Sequence, residues 1–456
     1  MAGTKKSNYM VANFVLMLLF NFSLARKNTS HFKSELDFGN GIVLSTFLDV
    51  TIDQNQFTIT SPKNADVRIF GGKAKVGRAL GKSPKKGIII TINGQQKNDS
   101  LFGSTNIPMI GKLKFKGTMQ NETLSGIFLT QDTIAIGKLN GIHSEENKID
   151  YSFFYPLQQK TLHEHLYSKE ILQTKEWKEF QQKIEKLCQT AHDDIEMYFG
   201  YNLLAQKLSF SHLSFVIAQD VTDEDEETES TEKSVVFEEK NDDTAYLLIK
   251  NFSSSTEELA ATLPKIVENQ NYKNLIVDLR DNPGGGIEAA FEFAKYITDR
   301  DLEVGYFLTN KLKYAGYQPE LFKTLPELQP KSTTEFIEEL KASSGVKLIF
   351  KKPNNPVFAG KIYVLTNEGT GSTCEPIVYA LKNTKKATII GEKTFGGMLA
   401  ASPFVVTGKY RLMLPIADFY TYDGVRLDRV GVSPDIETKS DDALTKTLEI
   451  ISNTKN

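Results

Sequence analysis

The chain has 456 residues, of which 40% are hydrophobic, 24% charged and 10% aromatic, and its formal net charge is −3. At roughly 100–200 residues per domain this allows two to four domains, and the near-average composition excludes collagen-like, disulfide-dense and wholly disordered classes. The slight acidity leaves no electrostatic footprint for nucleic acid. Two cysteines, Cys188 and Cys374, make neither a disulfide framework nor a zinc spacing with histidine, so no cofactor and no metal are expected.

Residues 1–25 read as a signal peptide. Lys5 and Lys6 precede an apolar run from Tyr9 to Ala25, and Ser23-Leu24-Ala25 offers small residues before a cleavage point. The uninterrupted apolar core is short for a bilayer of about 30 Å. Export to the periplasm or extracellular space is expected, with no stable membrane span after cleavage. Residues 30–157 carry short alternating runs such as Phe57-Thr58-Ile59-Thr60, which predict an antiparallel β domain, a sandwich or barrel. Within it, Gly87-Ile88-Ile89-Ile90-Thr91-Ile92 followed by Asn93-Gly94 predicts a hairpin turning at that dipeptide.

Residues 158–218 form a helical segment, in which Trp177, Phe180, Ile184, Leu187, Cys188, Ala191, Ile195 and Tyr198 recur at helical steps. An acidic loop is expected at 219–242, since residues 220–232 hold eight carboxylates and no base. From 243 to 445, strand-like runs (245–249, 275–279, 361–366, 387–390) alternate with helical stretches (256–269, 287–298, 374–383). This alternation is the signature of an α/β layer with crossovers. A stretch at 301–358, rich in Lys, Pro and Glu, reads as an insertion that borders a substrate groove.

Three short stretches carry chemistry. Asp278-Leu279-Arg280-Asp281-Asn282-Pro283-Gly284-Gly285-Gly286 follows a strand, and its glycines free the backbone to turn and present N–H groups. Such a turn serves as an oxyanion hole, a phosphate cradle lacking the Lys-Ser/Thr of a P-loop, or plain structure. Asn367-Glu368-Gly369-Thr370-Gly371-Ser372-Thr373-Cys374-Glu375 leaves another strand and enters a helix. Ser372 there is either an exposed nucleophile or a helix cap, and Cys374 is a rival nucleophile. The third stretch is Ser209-Phe210-Ser211-His212. A nucleophilic serine needs a base, and the six histidines are His31, His143, His163, His165, His192 and His212. Spacing alone does not say which of them meets Ser372.

Together these stretches, with Gly391-Glu392-Lys393-Thr394-Phe395-Gly396-Gly397 after them, resemble the tail-specific, or C-terminal processing, serine peptidases, closest to the tricorn core branch. The resemblance covers roughly residues 165–440. It implies crotonase-like α/β layers, a peptide or unfolded-protein substrate, Ser372 as nucleophile, and an oxyanion hole from the N–H of Thr373 and of Gly284 or Gly285. The catalytic lysine of the bacterial branch is replaced by Gly397. The Ser211-His212 pair instead fits the tricorn-like branch, with His212 as base and Asp428, in Asp428-Arg429-Val430-Gly431-Val432-Ser433-Pro434-Asp435, in the orienting role. Such a carboxylate raises the imidazole pKa, placing the acid limb of activity at about pH 6–7. About thirty residues separate His212 from Tyr246, too few for the PDZ module that many relatives carry. The rival reading is an inactive relative that binds peptides or apolar ligands, because the fold family also includes interphotoreceptor retinoid-binding protein.

Overall fold

The computed structural model describes residues 28–39, 42–61, 89–107, 111–218, 233–329 and 332–453. The expected signal peptide and the acidic run at 220–232 lie outside these. The described residues form two compact units, one of those up to Asp150 with Ala191–Phe199, the other of Tyr151–Thr190 with those from Gly200 onward.

The first unit is a closed antiparallel barrel of eight strands: β1 (Asn28–Asp37), β2 (Val43–Asp53), β3 (Gln56–Thr60), β4 (Thr91–Lys97), β5 (Ser100–Ile107), β6 (Gly111–Gln120), β7 (Thr123–Leu129) and β8 (Ala135–His143). Each strand pairs with the next, and β8 closes on β1. Alternation sets the two faces: in β6, Leu113, Phe115 and Gly117 are buried while Lys112, Lys114 and Lys116 are exposed. Phe32, Phe57, Phe115 and Phe128 fill the interior.

The turn expected at Asn93-Gly94 is not there. Both residues lie inside β4, and the hairpin turns at Asn98-Asp99, with Asn98 at φ +53°. Gly94 serves close approach instead, since a Cβ there would stand 2.1 Å from the Phe102 carbonyl oxygen.

The helical segment is three helices, α1 (Phe154–His165), α2 (Lys175–Thr190) and α3 (Asp194–Ala205). The apolar period runs through a break, and Tyr198, expected on the packed face, is 37% exposed. Asp193 restarts the helix by accepting the Glu196 N–H at 2.8 Å and the Thr46 hydroxyl at 2.5 Å.

The second unit holds two sheets. Strand β9 (Ser214–Ile217) follows α3, and β10 (Val235–Asn241) occupies part of the stretch expected as acidic loop. Then come β11 (Thr244–Ile249), α4 (Thr256–Glu268), β12 (Asn274–Asp278), α5 (Ile287–Ile297), β13 (Leu302–Thr309), α6 (Pro319–Phe322), α7 (Thr333–Ala342), β14 (Gly345–Phe350), β15 (Lys361–Thr366), α8 (Cys374–Asn383), β16 (Ala387–Gly391), β17 (Ala400–Thr407), β18 (Tyr410–Thr421), β19 (Ile436–Glu437) and α9 (Ala443–Asn453). One sheet runs β10-β11-β12-β15-β16-β19, with β11 through β19 parallel. The other runs β14-β13-β18-β17, and β9 also pairs with β18. Residues 301–358 are therefore not an insertion hung on the fold. Apolar β13 and β14 are strands of the second sheet, and Phe307, Phe336, Leu348 and Phe350 belong to the main core.

Candidate active site

Strands β12 and β15 are parallel neighbours in register, Asp278 beside Leu365, so their carboxyl ends and the loops that leave them lie side by side. This is where open α/β sheets place their sites. The loops are sewn together by asparagines. Asn282 donates to the Ile249 carbonyl (2.8 Å) and accepts the Gly284 N–H (2.9 Å), and its own carbonyl accepts the Gly371 N–H (3.0 Å). Asn367 accepts the N–H groups of Asp281 and Gly369 and donates to the Asp281 carboxylate, each at 2.9 Å. Gly284, at φ +98°, is glycine for a steric reason: a Cβ there would stand 2.7 Å from Ser372 Cβ.

Ser372 sits before α8 at φ +52°, a region sparsely populated by residues with a Cβ. Nine described non-glycine residues have positive φ. Four of these, Ser372, His212, Asp281 and Arg429, lie in the three motif stretches and the Asp428 run, and strain of this kind gathers at functional sites. Glu375 holds the Ser372 turn. This carboxylate is fully buried and accepts the Ser372 N–H (3.2 Å), the Thr394 hydroxyl (2.6 Å), the Gly396 N–H (2.7 Å) and the Gly397 N–H (2.8 Å). Burial pushes its pKa up, against the opposing pull of those donors. Sequence reasoning assigned Glu375 no role, although Ser372-x-x-Glu375 carries the spacing of a capping box.

His212 lies between buried Phe210 and β9. Its Nδ1 is 2.6 Å from Ser211 Oγ. Asp428, 3% exposed, accepts the backbone N–H of Ser211 (3.1 Å) and of Met398 (3.2 Å). Asp428 thus steadies the histidine's backbone, while the ring's bonded neighbour is the Ser211 hydroxyl. Burial lowers the His212 pKa, outweighing the raising effect of the Asp428 charge, and Arg429 lowers it further. The upward shift expected from sequence is therefore reversed. A Cβ on Gly397 would stand 3.7 Å from His212 Cε1, so the position expected to lack a lysine adjoins the imidazole.

One cavity of about 230 Å³ is lined by Ser372, His212, Thr373 and Gly285 together. The Thr373 hydroxyl donates to the Gly285 carbonyl at 2.7 Å. Among the described residues, the N–H groups of Thr373 and Gly285 have no acceptor within the chain, whereas that of Gly284 is occupied by Asn282. Cys374 is fully buried, its Sγ 3.6 Å from the Asn282 carbonyl, and burial raises its pKa, which disfavours the reactive thiolate. Of the other histidines, none lines this cavity. No cluster of three metal-ligating side chains occurs among the described residues.

The family model described as peptidase family S41 matches residues 243–438. The chain is 26% identical over 194 residues to the chloroplastic C-terminal processing peptidase of Tetradesmus obliquus, covering 42% of this chain and 34% of that one. It is 25% identical over 190 residues to the carboxyl-terminal-processing protease of Synechocystis sp., covering 42% and 36%. The chain thus spans about a third of the length of these curated relatives. Among solved structures, the tricorn protease aligns with a TM-score of 0.41 at 13% identity, over 87% of this chain and 45% of that one.

Proposed function

We propose that the protein, whose residues 243–438 match the model of peptidase family S41, is an exported serine endopeptidase acting on peptides or unfolded proteins. The observation that carries this reading is the shared cavity of Ser372 and His212, with Ser372 held at φ +52°. With Nδ1 carrying the proton and donating it to Ser211 Oγ, the other ring nitrogen is free to act as base. It takes the Ser372 proton as Oγ bonds to the substrate carbonyl carbon. The oxyanion is met by the N–H groups of Thr373 and Gly285, and Gly284 contributes only the room that its missing Cβ leaves. The imidazolium returns the proton to the departing amine as the C–N bond breaks. Water, deprotonated by the same ring, then releases the acid from Ser372. Asp428 supports the step at one remove, through the Ser211 backbone and its charge.

The test is turnover of unstructured polypeptide by the purified protein and by Ser372→Ala. Loss of hydrolysis in the variant, with its urea midpoint unchanged, is expected. Equal turnover by both would refute the assignment. No turnover by either, with retained binding of an apolar fluorophore, would select the binding-protein reading.

A further inference from the structure

The cavity that holds Ser372 extends well past the reacting groups, and its remaining walls are apolar. Ile287 and Ala290 come from α5, Phe307 from β13, Phe336 from α7, and Leu348 and Phe350 from β14. Among the described residues, no Asp, Glu, Lys or Arg side chain lines it. Thr333, the one hydroxyl on this floor, is engaged: it donates to Glu288 at 2.5 Å and accepts the Ile287 N–H at 3.1 Å. The floor therefore offers a guest no hydrogen bond and no counter-charge, and penalises any polar side chain that enters.

Its position says which substrate residue enters. Part of the apolar wall, Ile287 and Ala290 in the first turn of α5 and Pro376 and Ile377 in the first turn of α8, follows closely on Gly285 and Thr373, which line the same cavity. A carbonyl held by the N–H groups of Gly285 and Thr373 would set its own residue's side chain over the cavity, with the leaving amine toward His212. Resting on the peptidase reading above, we infer that the residue supplying the attacked carbonyl carries a large apolar side chain, Leu, Met or Phe. The stretch 301–358, through Phe307, Phe336, Leu348 and Phe350, is what selects it. An Ala methyl leaves most of about 230 Å³ unfilled.

The full chain is tested on quenched-fluorescence peptides that differ only at this residue (Ala, Leu, Met, Phe, Lys, Asp), and on a second series that varies the residue after the scissile bond. One methylene in an apolar pocket is worth about 10- to 200-fold, so kcat/KM for Leu, Met or Phe should exceed that for Ala by at least about 10-fold. Lys and Asp should fall below Ala. Ala290→Leu, which projects into the cavity, should cut the Phe-to-Ala ratio by about 10-fold or more. If that variant fails to fold, the wild-type series alone decides. A small fluorophosphonate, which does not need the pocket, is run in parallel. Labelling of Ser372 together with a preference for Ala or a charged residue, or with selectivity only after the scissile bond, overturns the inference and leaves the peptidase reading standing. Absence of labelling overturns the peptidase reading, and the inference with it.

Discussion

Replacing Glu375 separates its role in stability from its role at Ser372. Its two oxygens serve different partners: Oε1 accepts from Thr394 and Gly396, and Oε2 accepts from Ser372 and Gly397. In Glu375→Gln the better rotamer puts the amide nitrogen in the Oε1 place. The Thr394 hydroxyl can rotate away, and the Gly396 N–H alone is left facing a donor. One orphaned buried N–H costs about 1–3 kcal/mol, so Gln should destabilise by that amount while the Ser372 N–H keeps its acceptor. Glu375→Ala orphans all four donors and opens a hole. Relief of the carboxylate's own desolvation offsets part of this, and the net cost should be about 3–5 kcal/mol, the range for breaking a buried charge arrangement. Urea unfolding at constant m-value measures the stability side, and kcat/KM on one peptide measures the other. The expected pattern is Gln with lowered stability but less than about a 10-fold loss of activity, and Ala with both strongly reduced. An unchanged urea midpoint for Glu375→Ala would refute the reasoning, as would Gln and Ala losing activity equally.

Three further outcomes follow from the same geometry. Because burial holds His212 below its ordinary value near 6.5, and only the neutral ring is a base, kcat/KM should fall with acid through a pH below ~6.5. Between the two values the unfolded chain binds the proton first, so stability should also decline as pH falls across that window; an activity limb above 7 would count against His212. Cys374→Ser should keep most hydrolytic activity, as measured on the same peptide, whereas loss of activity equal to that of Ser372→Ala would revive the thiol. For export, the mature protein recovered from its native host should begin near Arg26 by intact mass, and a chain starting at Met1 in the cytosolic fraction would contradict it.

Much of the architecture was written in local pattern. The alternation of strands and helices after residue 243 could be read because buried parallel strands and amphipathic helices differ in period and length. The turn at Asn93-Gly94 was misread because a glycine that lets two strands approach closely looks, in sequence, like one that lets a chain reverse. The break before Asp193 was hidden because the apolar spacing continues across it, and only the carboxylate's bonds to Glu196 and Thr46 mark the restart. Residues 301–358 looked like an insertion because Lys, Pro and Glu in their exposed turns masked two apolar strands of the core. At the site, the glycine turn and the Ser372 junction were legible as motifs. What was not legible is how partners converge from distant stretches. Asp428 meets the Ser211 backbone 217 residues away, the Gly284 N–H is taken up by the Asn282 side chain, and burial reverses the expected shift at His212.

The central claim is that Ser372 is a nucleophile activated by His212. A fluorophosphonate reacts with a serine only where a base takes its proton, so the most direct measurement is the site of adduct formation, located by peptide mass mapping after labelling the folded protein. The account predicts a single adduct on Ser372, lost in Ser372→Ala, reduced by about 100-fold or more in rate in His212→Ala, and retained in Cys374→Ser. An unlabelled Ser372 in folded protein, or a His212→Ala variant labelled at the wild-type rate, would contradict it.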